Sequence, residues 1–315
     1  SGCCSISSFN DAREICISLG IPHYILNFSR EFHKEVVEDF IDEYLAGRTP
    51  NPCVQCNTKI KWKTLVDKAQ ELGADYIATG HYARVERRDG ESLLCRAEDD
   101  RKDQTYFLWG IPRPVIERLL LPVGDLAKCE VREAARSLGL LTADKPESFE
   151  ICFVPDDDYA GVLRDHLGES HPALSPGPVV RVDGTIVGEH RGYARFTVGQ
   201  RKGLPGGLGE PMFVIEIRPE SRTVVIGPRD ALASVALEAR EANWLAEPPG
   251  PGESIGVRIR HGAPIVDARV AACSQDGFTL ELESAQDAVT PGQSAVLYRE
   301  DVVLGGGVIT AAQRT

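Results

Sequence analysis

The sequence predicts an α/β head built on a parallel sheet, followed by β-rich modules. Two observations carry this. Segments of helical period alternate with short apolar runs and short loops as far as about residue 80, which implies right-handed βαβ units. From about Pro176 onward, hairpin patterns dominate. The chain is long enough for two or three domains. Of its 315 residues, 42% are apolar and 26% charged, which suits an ample core.

The elements follow in order. Asp11–Leu19 carries Ala12, Ile15, Cys16 and Leu19 at helical spacing and stops at Gly20. The run "HYILNF" (His23–Phe28) reads as a buried strand. Ser29 can cap the next helix, whose stripe of Phe32, Val36, Val37, Phe40, Ile41, Tyr44 and Leu45 ends at Gly47. After a Pro-Asn-Pro-Cys turn, Ile60, Trp62, Leu65, Val66, Ala69 and Leu72 make another amphipathic helix, and "DYIATG" (Asp75–Gly80) a short strand. Ala83–Ala97 reads as a hairpin turning at Asp89-Gly90. Asp103–Gly110, Pro114–Leu121, Glu130–Leu138 and Asp158–Leu167 read as helices. "PVVRVDGTIVGEH", "MFVIEIRPESRTVVIG" and "VRIRHGAPIVDARVAAC" are three hairpins, and turn signals beyond Ala242 are spaced as in a small sandwich or barrel.

Charge and composition exclude several classes. A net charge of −12 argues against generic coating of nucleic acid, whose affinity comes from neutralised phosphates. It leaves room for local basic groups: Lys59, Lys61 and Lys63; Arg191, Arg195, Arg201 and Lys202; Arg258 with Arg260. No run of about 18 apolar residues suggests a membrane span, and no secretory leader is visible. The sole Met is Met212, and the opening at Ser1 reads like an interior loop, so a preceding N-terminal piece is expected.

Nine cysteines, Cys3, Cys4, Cys16, Cys53, Cys56, Cys95, Cys129, Cys152 and Cys273, read as thiols of a reducing cytoplasm. Cys16, Cys95, Cys129 and Cys273 are expected to be buried and structural. Cys53 and Cys56 form a CxxC pair, open to zinc, a redox role or a nucleophile. Zinc wants a second pair, which is absent. A redox pair would start a helix after a strand. Cys56, placed at or just before a helix beginning at Asn57, has the dipole and the Lys59 and Lys61 charges that stabilise a thiolate. Cys152 lies in a short apolar segment with acidic flanks, where the head should end.

Several stretches then resemble one family: "GRTPNPCVQCNTKIKW" (Gly47–Trp62), "ADYIATGHYAR" (Ala74–Arg84), "KDQTYFLWG" (Lys102–Gly110), "SFEICFVP" (Ser148–Pro155), "GEHRGYARFTVGQRKGL" (Gly188–Leu204), "TPGQSAVLY" (Thr290–Tyr298) and "LGGGVI" (Leu304–Ile309). In this order they resemble the tRNA-specific 2-thiouridylases across almost the whole chain. The resemblance implies an adenine nucleotide alpha hydrolase-like head of ATP-pyrophosphatase type over 1–156, a central tRNA-binding domain over 157–229 and a C-terminal β-barrel over 230–315.

It also implies a sulfurtransferase that places sulfur on the wobble uridine of tRNA. Cys56 would be the nucleophile and Cys152 the persulfide carrier. Asn51, Pro52 and Cys53 would meet the target base, and Gly80 would contact ATP, used with Mg2+. His81, Lys102, Asp103, Gln104, Arg260, His261 and Gln293 would contact tRNA. The partners implied are tRNA and an upstream persulfide donor or carrier protein, for a cytoplasmic monomer without a membrane.

Two departures stand out. The family's Ser-Gly-Gly-x-Asp-Ser phosphate loop is not found, and "SGCCSISSFNDA" instead resembles the loop after the second strand, so the chain as written is expected to bind ATP poorly. Cys53 stands where some members carry Asp. Cys53, Cys56 and Cys152 could therefore ligate an iron–sulfur cluster that takes free sulfide, or Cys56 and Cys152 could run a persulfide relay; a non-catalytic RNA-binding scaffold is the third reading.

Overall fold

The computed structural model describes residues 6–145, 151–207 and 209–314. Cys3, Cys4 and residues 146–150, ahead of Cys152, lie outside the described residues.

The head opens with α1 (Ile6–Leu19), closed by Gly20 in the left-handed region as its sequence predicts. "HYILNF" is neither a strand nor buried: Tyr24 and Ile25 are among the most exposed large apolar residues described. A short apolar run needs a neighbouring strand before it can be one, and none pairs with it among the described residues. α2 (Ser29–Phe32), a π-helical stretch (His33–Val37) and α3 (Glu38–Leu45) run on as one rod, its apolar stripe inward at Val36, Phe40, Ile41 and Tyr44. A second rod follows as α4 (Pro52–Gln55), a π-helical stretch (Cys56–Leu65) and α5 (Val66–Glu71).

The parallel sheet is reduced to β1 (Ile77–Ala78), whose partner is the later strand β4 (Leu119–Leu120). Between them β2 (Arg84–Arg88) and β3 (Glu91–Cys95) make the expected hairpin, with Asp89 and Gly90 both at positive φ. The helices read over Asp103–Gly110 and Pro114–Leu121 are only 3₁₀ turns at Thr105–Phe107 and Arg113–Arg118. α6 (Lys128–Ser137) and α7 (Tyr159–Leu167) hold as helices, α7 capped by Asp158, whose carboxylate accepts from the Gly161 amide at 2.8 Å.

The central unit is a four-stranded sheet of β5 (Gly177–Arg181), β6 (Ile186–His190), β7 (Phe213–Arg218) and β8 (Thr223–Gly227) in the order β6-β5-β8-β7. The tail comprises β9 (Ala233–Trp244), β10 (Ser254–Arg258), β11 (Val266–Cys273), β12 (Gly277–Asp287), β13 (Ser294–Arg299) and β14 (Val302–Arg314). These six pair antiparallel around a ring that β13 and β14 close, so the tail is a barrel without free edges. On the outside of the ring, β3 joins β14 through Cys95 and Val302, and the β2–β3 hairpin extends the barrel sheet into the head.

The cores follow this wiring. One lies in the barrel, around Leu237, Val257, Val270, Leu280, Leu297 and Ile309, with Leu93 of β3 packed against it. A second joins Trp62, Leu94, Tyr106 and Trp109 of the head to Leu245, Val296, Tyr298 and Val303 of the barrel. A third joins Phe40, Tyr44 and Leu163 to Val179, Val214 and Val224 of the central sheet. The head's apolar faces are thus covered by both later units.

Candidate functional site

The second rod starts earlier than its periodicity suggests. Asn51 is the N-cap, its side-chain oxygen accepting from the Val54 amide at 3.3 Å, and Pro52 occupies the first turn. Cys53 is therefore in the first helical turn and exposed, while Cys56 is one turn further in, half-buried, its amide already donating to the carbonyl of Pro52. The dipole argument made for Cys56 at a helix start thus applies to Cys53, because the field falls off within the first turn. Asn57 fastens the turn by donating to the Cys53 carbonyl at 2.8 Å. Gly110 lies so close to the rod that a Cβ there would reach within 2.0 Å of the Thr58 hydroxyl oxygen, so only glycine lets the 109–111 segment pass.

Cys152 is exposed, in a segment anchored by its neighbours. The Phe153 ring stands edge-on to Phe40 at 5.1 Å and to Phe32 at 5.8 Å, and Tyr159 stacks on Phe40 at 6.1 Å. The same rod receives the neighbour of Cys56: the Gln55 amide donates to Asp39 at 3.4 Å. Both cysteine segments are therefore mounted on the α2–α3 rod. Burial, then the nearby Glu43, Glu241 and Asp42, push the Asp39 carboxyl up to about 6 against the opposing pull of Lys59. Sequence reasoning missed Asp39, which is one acid among Glu38, Asp42 and Glu43 with no local mark to separate it.

The remaining thiols divide. Cys95 is fully buried as expected, its thiol pushed up to about 11 by burial first and by Asp301 and Glu86 next. Among the described residues, Glu86, Cys95 and Asp301 form the only cluster close enough to hold a single metal ion, yet Arg84 and Arg88 already pair with both carboxylates. Cys129 is exposed and Cys16 and Cys273 only half-buried, which corrects the expectation that all were core.

The residues expected to contact tRNA separate into two groups. Arg260 is exposed, and so are Arg191, Arg195, Arg201 and Lys202 on the central unit. His261 is exposed, with its ring 4.4 Å from Phe107 and its titration pushed down by desolvation and Arg258. Asp103, by contrast, is 4% exposed. It pairs with buried Arg258 at 2.6 Å and accepts from the Thr105 hydroxyl at 2.8 Å, and that hydroxyl meets the Tyr298 hydroxyl at 3.1 Å. The side chain expected to touch RNA thus ties the head to the barrel.

Gln104 likewise accepts from the Tyr82 amide at 2.9 Å, fixing the loop after Gly80, while Lys102 is half-buried beside it. His81 faces Thr79 through Nδ1 at 2.8 Å and Lys61 through Nε2 at 3.5 Å. Desolvation, with Lys61 second, lowers it to about 3, so the ring is neutral; the lysine donates to Nε2 and the proton sits on Nδ1. Gln293 donates to the carbonyls of Thr49 at 3.1 Å and Pro50 at 3.0 Å, immediately before the cysteine rod.

Gly80 ends the β1 segment with open space where a side chain would project, at the carboxyl side of a parallel strand where such sheets receive nucleotides. That fits the approach of a nucleotide at Gly80. Among the described residues of the head, no glycine-rich turn leads into a helix to cradle phosphates. No helix among the described residues is long and apolar enough to cross a membrane.

Comparison with known proteins agrees along the chain. A family model described as a tRNA methyl transferase HUP domain matches residues 1–156, one described as a tRNA methyl transferase PRC-barrel domain matches 162–228, and one described as an aminomethyltransferase beta-barrel domain matches 234–309. The chain is 48% identical over 312 residues to the tRNA-specific 2-thiouridylase MnmA of Carboxydothermus hydrogenoformans, covering 98% of this chain and 84% of the relative. It is 45% identical to the protein of the same name from Lachnoclostridium phytofermentans, with 98% and 86% covered, and 46% identical to that of Salinibacter ruber, with 98% and 82% covered.

Proposed function

The chain belongs to the tRNA-specific 2-thiouridylase family, and from that premise we propose how its residues carry out ATP-dependent 2-thiolation of the wobble uridine of tRNA. The protein is an enzyme, a tRNA-uridine 2-sulfurtransferase whose substrate partner is tRNA. The observation that carries the residue assignment is the mounting of the Cys56 and Cys152 segments on one rod through Asp39 and Phe40.

Replacing a carbonyl oxygen by sulfur needs a better leaving group and a delivered sulfur. ATP, when bound at the Gly80 side, supplies the activation of that oxygen. Cys152 carries the sulfur as a persulfide received from an upstream donor. The Cys56 thiolate attacks the inner sulfur, forming a Cys56–Cys152 disulfide and releasing hydrosulfide, which would displace the activated oxygen from the uridine carbon as AMP; an external thiol reductant would then return the disulfide to two thiols for the next turnover. Exposed Cys53, between buried Pro52 and Val54 and near half-buried Asn51, is the position of the rod's first turn that meets a uridine flipped out of its stack. Arg260, His261 and the basic loop of the central unit hold the RNA by shape and phosphate, which suits an acidic protein with few contacts. The working division is 1–156 for chemistry, 157–229 and 230–315 for RNA, in a cytoplasmic monomer.

Cys56→Ser and Cys152→Ser should each abolish thiolation while tRNA binding survives, read by retardation of thiolated tRNA on a mercury-containing gel. Normal thiolation by either variant refutes the assignment. Cys53 adds a third thiol of the right type for a cluster with Cys56 and Cys152; iron content after anaerobic purification separates that supply of sulfide from the relay.

A further inference from the structure

We propose that Gln293 is a positioning residue, through which the barrel holds the turn that presents the target-base segment. This rests on the reading that Asn51, Pro52 and Cys53 meet the base. Both donors of the Gln293 amide are committed inside the protein. Its two protons go to the carbonyls of Thr49 and Pro50, and its oxygen accepts from the Tyr106 hydroxyl at 3.4 Å.

The contact is reinforced on both sides. The Thr49 amide donates to the Pro291 carbonyl at 3.0 Å. Gly292, at φ +91°, lies so close that a Cβ would come within 2.6 Å of the Thr49 carbonyl oxygen and 2.8 Å of a Glu43 carboxylate oxygen. Glu43 in turn pairs with Arg48, one residue before Thr49. Tyr106 is the pivot: the single proton of its hydroxyl is shared between the Gln293 oxygen and the Ser294 carbonyl at 3.2 Å, its oxygen accepts from the Ser294 amide at 3.2 Å, and it interacts with the side chain of Asn51, the cap of the cysteine rod. One barrel loop thus grips the carbonyls ahead of the cap and, through one buried tyrosine, the cap itself. RNA seated on Arg260 and His261 of the same barrel is thereby tied mechanically to the turn that must meet the base.

The test uses the whole chain without RNA, and then with it. In Gln293→Ala, alkylation of half-buried Cys56 by iodoacetamide, followed by mass spectrometry, should rise at least about threefold, because a turn that loses two hydrogen bonds to the barrel opens more often. With tRNA, kcat should fall about tenfold while KM and the tRNA dissociation constant stay within about twofold. Tyr106→Phe, which removes only the hydroxyl, should shift the alkylation in the same direction and guards against a general loss of fold, checked by thermal melting. Unchanged Cys56 alkylation in both variants overturns the proposal, as does a tRNA affinity that falls about tenfold in Gln293→Ala while alkylation stays constant. Because alkylation needs neither ATP nor RNA, this outcome is independent of whether Cys56 and Cys152 perform the chemistry.

Discussion

The barrel and the head are built on opposite terms. The barrel closes its six strands on one another and fills its interior with its own side chains. The head has a two-residue parallel pair, two helical rods with π stretches, and apolar faces that are finished by other units. Yet Cys53, Cys56 and Cys152 are on the head. The proposed chemistry therefore belongs to the less self-sufficient part, and the placing of these residues is borrowed: the barrel holds the turn before Cys53, and the α2–α3 rod, itself packed on the central sheet, carries the supports of Cys56 and Cys152. A closed sheet is stiff because every strand edge is paired, which makes it a good frame; the head keeps its exposed thiols by not burying them in a core of its own.

The most damaging way to break this arrangement is at the joint. Arg258→Ala leaves Asp103 charged, buried and without its partner, and should lower unfolding free energy by about 3–5 kcal/mol in urea denaturation, whereas replacing both residues by well-packed apolar ones should restore much of that loss. A loss below about 1 kcal/mol would mean that head and barrel are not energetically joined there. A smaller effect belongs to the head alone: Asn51→Ala removes the cap of the cysteine rod and should cost about 1 kcal/mol, visible as faster local amide exchange at Val54, with the barrel strands unchanged.

A further effect is a matter of pH. The folded Asp39 carboxyl titrates near 6, above its ordinary value of 3.8, so the native state holds that proton more tightly than the unfolded chain. The sign follows: this group favours folding most at the acid end, its contribution is lost as pH rises from about 4 to about 6, and above that a constant cost remains. Asp39→Asn should remove that slope from the stability profile and raise the melting temperature at pH 7 relative to pH 4; an unchanged profile would show that Asp39 is better solvated than its position implies.

What could be read beforehand tracks how local each signal was. The hairpins at Asp89-Gly90 and Asp183-Gly184 are written into adjacent residues, and so is the Asp158 cap of α7. The start of the cysteine rod was written as locally, in Asn51 followed by Pro52 at the first helical position, but the apolar stripe beginning at Ile60 outweighed it and displaced the start past Cys56. "HYILNF" failed because apolar content says what a segment would bury, not whether a neighbour is there to bury it. Tyr106, Asp103 and Gln293 could be marked by resemblance or not at all: their partners lie 187, 155 and 244 residues away, and nothing in the local pattern of "KDQTYF" announces them.

The hold of Gln293 on Thr49 also sets a schedule. A ribosome makes Thr49 long before it makes Gln293, and at about 5–20 residues per second the 244 intervening residues take roughly 12–50 s. Through that interval the nascent head carries its thiols on a turn with no clasp. A chain released early, without β13, would never tighten it, so a prematurely terminated product should come off the ribosome silent in sulfur transfer instead of acting on RNA without its barrel.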